Sequence, residues 1–157
     1  MKIQFWTIGK GHEAYVKEGI ETFTKRISHY FPIEWKIITS PKNAGNMEVE
    51  ELKAKEAELV INTINADDYI ILLDEKGKNI TSEKLANLLQ ASANEARKNI
   101  IFIIGGAFGA GEKLKSRADF IWSLSSLVFP HQLVRLIISE QVYRACTILR
   151  NEKYHHT

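Results

Sequence analysis

The clearest indication of the fold is IIFII, at residues Ile100–Ile104. Five apolar residues in a row, with no polar residue alternating between them, predict a strand that is covered on both faces, as the strands of parallel sheets are. A second run of this kind is YIILL at Tyr69–Leu73, which the polar segment Asp74–Gly77 closes. KIQFWTI at Lys2–Ile8 and IEWKIIT at Ile33–Thr39 predict two further strands.

Helical patterns separate these strands. An apolar stripe at steps of four and three predicts the first helix: Val16, Ile20, Phe23, Ile27 and Phe31. Pro32 ends it. A second helix is predicted to turn four residues inward: Val49, Leu52, Leu59 and Val60. The alternation of strands and helices predicts an α/β fold, a Rossmann-like sandwich with a parallel sheet, and the length fits a single domain over residues 1–157.

The composition is that of a folded soluble protein, with 45% hydrophobic and 25% charged residues. Cys146 is the single cysteine and can form no intramolecular disulfide, which fits a reducing compartment. Met1–Lys10 has no apolar core typical of a secretory signal, and no apolar run is long enough to span a membrane. We therefore expect a cytoplasmic protein without a membrane partner. A net charge of +2 permits a nucleic-acid partner but does not argue for one.

The segment IGGAFGAG, Ile104–Gly111, follows the strand Ile100–Ile104. It falls at the carboxyl end of a central strand, where open α/β sheets bind their ligands. The spacing matches neither the phosphate-binding P-loop nor the glycine motif that opens a helix in dinucleotide-binding folds. Two interpretations stay open: glycines that let the backbone approach a cofactor, and a strand-to-helix turn that needs glycine only for its conformation.

The segment WSLSSLVFPHQLVR, Trp122–Arg135, combines serines, an apolar loop and a Pro-His pair. Ser125 and His131 invite comparison with a serine hydrolase, but the chain has no G-x-S-x-G motif and no evident acid to orient the imidazole. We therefore disfavour a hydrolase. The ordinary alternative for His131 is a residue at the start of a helix that bonds a backbone carbonyl.

The helix predicted at Leu133–Leu149 is apolar on nearly every side, which indicates burial on every side. Because a domain of this size has little interior, we expect the sheet to cover one side and a second subunit the other, which predicts a homodimer. Glu140 and Arg144 lie one turn apart, where such charges usually pair with each other; the alternative is that Arg135, Arg144 and Arg150 contact phosphate. The tail NEKYHHT, Asn151–Thr157, is either a frayed end or a site where a tyrosine stacks on a base, and it makes a poor metal site.

Taken together, these motifs resemble one family. The matching residues are Ile104-Gly105-Gly106-x-x-Gly109, Leu124-Ser125, Phe129-Pro130-His131-Gln132-Leu133-x-Arg135, Glu140-Gln141-Val142-Tyr143-Arg144-Ala145 and Tyr154-His155. The chain is similar over Lys2–His156 to the ribosomal RNA large subunit methyltransferase H family, small enzymes of the SPOUT class. This resemblance implies a C-terminal deep trefoil knot, a homodimer and S-adenosyl-L-methionine as methyl donor. It also implies methylation at N3 of a pseudouridine in large-subunit (23S) ribosomal RNA.

The resemblance also implies site residues. The cofactor-binding positions are Leu73, Gly105, Leu124, Ser125, Ser126, Leu127, Val128 and Phe129. The catalytic group, expected to face the RNA, comprises His131, Arg135, Tyr154 and His155. His155 is the candidate for removing the N3 proton, since imidazoles titrate near neutrality. No metal is expected. The modest net charge favours assembled ribosomes over free RNA as substrate, and the alternative is a catalytically silent domain that binds RNA or the ribosome.

Overall fold

The computed structural model describes residues 1–156, so Thr157 lies outside the described residues. Within residues 1–156 the chain forms five strands and five α-helices. The strands are β1 (Lys2–Ile8), β2 (Ile33–Ile38), β3 (Tyr69–Lys78), β4 (Asn99–Ile104) and β5 (Phe120–Trp122). The helices are α1 (Ala14–Ile27), α2 (Val49–Ile61), α3 (Ser82–Asn94), α4 (Glu112–Arg117) and α5 (His131–Leu149).

The strands form one sheet in the order β2-β1-β4-β3-β5, and every neighbouring pair is parallel. The predicted α/β fold with a parallel sheet is confirmed. The two apolar runs occupy adjacent central strands, where Ile71 pairs with Phe102. Both of these side chains are fully buried. Because all strands run the same way, their carboxyl ends meet at one edge of the sheet.

Helices cover both faces of the sheet. On one face Phe5 and Phe102 pack with Ile138 and Val142 of α5, together with residues of α1 and α3. On the other face the core joins Ile103 to residues of α2 and α4. Each large apolar side chain that is fully buried in this way contributes about 1.5–3 kcal/mol to stability. The two layers therefore hold the carboxyl edge of the sheet in a fixed shape.

The predicted end of β3 is wrong. The segment Asp74–Gly77 was expected to close the strand, but β3 runs on to Lys78 with a bulge between Leu73 and Lys78. Lys78 pairs with Trp122 of β5, and its carbonyl accepts a hydrogen bond from the Ser123 N–H at 3.0 Å. The polar residues are thus carried in a bulge whose two ends are both fixed to β5.

The predicted inner face of α2 is correct only in part. Leu52 and Val60 are buried, whereas Val49 and Leu59 are exposed. A charged residue, Glu56, lies on the buried face of the helix instead, with an exposure of only 5%. The helix is therefore turned so that a carboxyl group faces the protein interior.

Helix α5 lies on the sheet between α1 and α3. Gly19 lets α1 approach closely, because a Cβ there would lie 2.6 Å from the Leu136 Cδ1. The far side of α5 is therefore covered in part by its neighbours within the same chain, while Leu133, Leu136 and Ile137 stay partly exposed. No helix among residues 1–156 is long and apolar enough to cross a membrane.

Candidate active site

A cavity of about 410 Å³ opens at the carboxyl ends of β3, β4 and β5. Its lining includes all the predicted cofactor positions except Ser126: Leu73, Gly105, Leu124, Ser125, Leu127, Val128 and Phe129. His131 lines the same cavity, while Arg135, Tyr154 and His155 do not. The volume is within the range typical of sites for small molecules. The fold thus gathers three segments that are distant in sequence around one space.

The bulge of β3 forms one wall of the cavity. Asp74, Glu75 and Lys76 line it, and the Asp74 Oδ1 accepts a hydrogen bond from the Lys76 N–H at 2.8 Å. Gly77 makes the bulge possible, because a Cβ there would lie 2.6 Å from the backbone carbonyl oxygen of Ile121. This wall is therefore fixed by backbone contacts and presents charged side chains.

We call residues Gly105–Gly111 the glycine turn, which forms the second wall. Gly109 has a positive φ of 88° and its N–H donates to the carbonyl of Gly106 at 3.1 Å. Gly111 lies against α2, where a Cβ would come within 2.7 Å of the Lys53 carbonyl. Gly109 fits the interpretation of a turn that needs glycine for its conformation, and Gly111 lets the turn pack closely against α2. The approach of the glycine backbone to a cofactor stays a prediction.

We call residues Leu124–Phe129 the serine loop, which forms the third wall. The Ser123 hydroxyl donates to the carbonyl of Ser125 at 3.0 Å, and the Ser125 hydroxyl accepts from the Leu127 N–H at the same distance. Ser125 therefore holds the loop in shape. Leu127 and Val128 are 69% and 79% exposed, so the loop presents apolar side chains to whatever enters the cavity.

His131 begins α5 and borders the cavity. Burial, aided by the positive charge of Arg135, lowers the pKa of His131 from its usual value, so the imidazole is held neutral. Its Nδ1 is buried and has no hydrogen-bond partner among residues 1–156. A neutral imidazole with an unused nitrogen can accept a proton or bind a polar group of a ligand.

Arg135 is 1% exposed, so in the single chain it does not face the surface where RNA was expected. Its Nη1 donates to the His12 Nδ1 at 3.3 Å, while its Nε has no partner within the described part of the chain. Gln132 fixes the segment that carries His12, accepting from the Glu13 N–H at 2.9 Å and donating to the Gly11 carbonyl at 3.1 Å. A buried guanidinium therefore lies behind His131.

Tyr154 and His155 of the tail lie beside the second half of α5. Glu140 accepts hydrogen bonds from Arg144 at 2.6 Å and from the Tyr154 hydroxyl at 3.1 Å, which confirms the predicted pairing of Glu140 with Arg144. The His155 Nε2 lies 2.9 Å from the Glu83 Oε1, and its Nδ1 lies 3.4 Å from the Arg144 Nη1. Since arginine only donates and a carboxylate only accepts, Nε2 carries the proton and Nδ1 accepts.

The single chain keeps the tail away from the cavity. His131 and Arg144 are separated by about 20 Å along the helix axis, at 1.5 Å per residue. Both ring nitrogens of His155 are engaged in the pairing with Glu83 and Arg144. The catalytic group predicted from the sequence is thus divided: His131 lies at the cavity, and Tyr154 and His155 lie near the opposite end of α5.

Comparisons with known proteins agree with this architecture. A family model described as a predicted SPOUT methyltransferase matches residues 1–155. Proteins described as ribosomal RNA large subunit methyltransferase H are 45% identical in Cytophaga hutchinsonii and 41% identical in Parabacteroides distasonis. These alignments cover 99% of this chain, and 100% and 99% of the respective relatives.

A solved structure supports the fold. A probable methylase family protein from Haemophilus influenzae matches with a TM-score of 0.55 and 13% sequence identity, over 99% of this chain and 70% of that one. At that identity the likeness concerns the fold alone. The family implies a C-terminal knot. On the match of the family model and of relatives over nearly the full chain, this protein belongs to the SPOUT methyltransferase family.

Proposed function

We propose that this chain is an S-adenosyl-L-methionine-dependent methyltransferase that methylates N3 of a pseudouridine in large-subunit (23S) ribosomal RNA, on assembled ribosomes in the cytoplasm. One observation carries the proposal: the cavity at the carboxyl edge of the sheet is enclosed by the bulge of β3, the glycine turn and the serine loop. Relatives described as ribosomal RNA large subunit methyltransferase H support the choice of substrate.

The residues of the cavity fit an adenosine-containing donor. Leu73, Leu124 and Phe129 supply apolar surface for a base, and Gly105 leaves its backbone accessible because it has no side chain. Asp74, with Lys115 at 3.8 Å, supplies polar contacts at the wall formed by the bulge of β3. The donor, once bound, supplies an electrophilic methyl group on a sulfonium. The chain then has to hold the target base in line and to accept the N3 proton.

We assign acceptance of the N3 proton to His131, since it lines the cavity, is held neutral and has an unused Nδ1. His155 remains the alternative that the resemblance implies, and it requires that the tail leave Glu83 and Arg144. Single-turnover methyl transfer by His131→Asn and by His155→Ala separates the two. The residue whose loss slows transfer without changing donor affinity is the acceptor; normal turnover in His131→Asn rejects our assignment.

A homodimer would resolve the division of the site. The partly exposed apolar residues of α5, Leu133, Leu136 and Ile137, supply a surface for a second copy. An antiparallel pair of α5 helices brings the tail of one copy to the cavity of the other. Sedimentation equilibrium tests the oligomeric state. Mixing an inactive His131 variant with an inactive tail variant should restore part of the activity if the tail acts across the dimer, and no recovery contradicts the shared site.

The decisive experiment is transfer of labelled methyl onto ribosomes that lack the modification. We expect label at a single pseudouridine of the large subunit, and much less label on protein-free RNA. Equal labelling of both substrates would remove the ribosome from the proposal. A silent RNA-binding domain would incorporate no label and would not bind S-adenosyl-L-methionine in a calorimetric titration.

A further inference from the structure

Glu56 is a buried acid for which the proposed reaction has no use. It lies on α2 with an exposure of 5%, and its Oε1 has no hydrogen-bond partner among residues 1–156. Buried carboxyl groups are normally paired or hydrogen-bonded, because leaving one alone is costly. A buried carboxyl oxygen without a partner in a well-packed layer therefore needs an explanation.

The carboxyl of Glu56 lies directly behind the glycine turn. A Cβ built on Gly106 would come within 2.5 and 2.6 Å of the two carboxyl oxygens, so the carboxyl touches the backbone of Gly106. Gly106 itself lines the cavity. The backbone of Gly106 thus lies between the acid and the space proposed for the donor, and the lack of a side chain at Gly106 lets the acid come this close.

The lysines on this face of the sheet have partners other than Glu56. On α2, Lys53 lies 3.7 Å from Glu50, and on α4 Lys115 lies 3.7 Å from Glu112 and 3.8 Å from Asp74 of the bulge. On β2, Lys36 stacks over the Trp6 ring at 4.6 Å. Burial alone raises the pKa of the Glu56 carboxyl. The neutral form is thereby favoured, and a positive charge placed in the cavity would favour the ionised form.

We infer that Glu56 is a specificity-determining residue that makes the cavity prefer a cationic ligand, the sulfonium donor, over the neutral thioether product. The inference rests on the proposed function. Entry of the donor releases the proton of Glu56 to solvent, and the resulting carboxylate attracts the positive charge through the backbone of Gly106. After methyl transfer the sulfur is neutral, the carboxylate takes a proton back, and the product leaves more readily. The low polarity behind the turn strengthens this effect.

The test compares calorimetric titrations of S-adenosyl-L-methionine and S-adenosyl-L-homocysteine into the full chain and into Glu56→Gln. Glu58→Gln, an exposed change on the same helix, is the matched control. We expect wild type and Glu58→Gln to prefer the donor increasingly as pH rises through the raised pKa of Glu56. Glu56→Gln should lose about tenfold of that preference, which is roughly 1.4 kcal/mol, and become independent of pH.

Proton release gives a second readout that needs no variant. Phosphate and Tris buffers differ in ionisation enthalpy, so proton release makes the measured binding enthalpy depend on the buffer. For the wild type, the binding enthalpy should change more between the two buffers for the donor than for the product. Equal proton release for both ligands, or an unchanged preference in Glu56→Gln, overturns the inference while leaving the proposed function in place. Failure of the wild type to bind either ligand overturns both.

Discussion

The two ends of α5 treat their polar groups in opposite ways. At the amino end, His131 and Arg135 each have a buried nitrogen without a partner in the described part of the chain. In the second half of the helix, Glu140 and Arg144 form a closed set of hydrogen bonds with the tail residues Tyr154 and His155. Unused hydrogen-bonding groups are therefore concentrated at the cavity end, whereas the polar groups at the tail end are already paired with one another.

Replacing Arg135 with methionine tests the role of the unpaired polar groups at the cavity end. Of the changes considered, it should cause the largest loss of activity. Methionine preserves much of the volume but removes a buried charge without a carboxylate partner. We expect methyl transfer to fall at least about 100-fold through misplacement of His131. The thermal midpoint should stay the same or rise, because a buried unpaired charge costs stability.

Arg150→Met is the control for this change, since Arg150 is exposed at the end of α5. Differential scanning calorimetry and single-turnover assays measure the two effects separately. A large drop in the melting temperature of Arg135→Met would mean that the guanidinium serves folding rather than the site.

Glu140→Gln tests the hydrogen bonds that join Glu140 to Arg144 and Tyr154 at the tail end. The amide keeps the shape but loses the charge that binds Arg144 and Tyr154. We expect unfolding free energy to fall by about 1 kcal/mol and amide exchange in the tail to accelerate. Affinity for the donor should not change, because the cavity lies near the other end of the helix. Weaker donor binding in Glu140→Gln, measured against Glu95→Gln as a surface control, would show that the two ends are coupled.

The pH dependence of stability tests the amino end again. Burial lowers the pKa of both His12 and His131 from the usual 6.5. In the unfolded chain these imidazoles take up protons near pH 6.5, whereas in the folded chain they do so only at lower pH. The unfolded state therefore binds more protons, so stability should fall as pH drops below about 6.5. Urea titrations should show a shallower fall for His131→Asn, and an identical profile would contradict the shift.

Gly19→Ala should have the smallest effect and tests whether α5 is held rigidly along its length. The added methyl would lie 2.6 Å from the Leu136 Cδ1, which favours a clash. Removing a glycine from a helix interior, however, stabilises by about 0.5–1 kcal/mol. Because Leu136 is partly exposed and can rotate, we expect a net change near zero in urea titrations. A fall in the free energy of unfolding by more than about 2 kcal/mol would mean that α1 and α5 cannot move apart to admit the methyl group.

Local patterns were enough to predict the layers of the fold and the edge that carries the cavity. A fully apolar strand such as Ile100–Ile104 is buried on both faces when it lies in a parallel sheet between two layers of helices. Parallel strands also place their carboxyl ends at one edge. The bulge of β3 could not be predicted, because its polar residues match an ordinary turn and only pairing with β5 makes them part of a strand. The pairing of His155 with Glu83 joins positions far apart in sequence and leaves no local signal.

Glu56 could have been found. Leu52, Glu56 and Val60 recur at intervals of four, so the carboxyl falls on the buried stripe of the helix. The sequence interpretation placed Val49 and Leu59 there because it counted only apolar residues as inward. A charged residue in phase with an apolar stripe is itself a signal, because proteins rarely bury one without a use for it.

The bulge of β3 has a consequence for altering the cavity. Backbone pairing fixes both of its ends to β5, so changes of shape in this wall would disturb the sheet. The serine loop offers the opposite situation, with Leu127 and Val128 exposed at its tip and contacts made mainly within the loop. Anyone wishing to admit donor analogues with bulkier transferable groups should shorten side chains in the serine loop first and leave the bulge untouched.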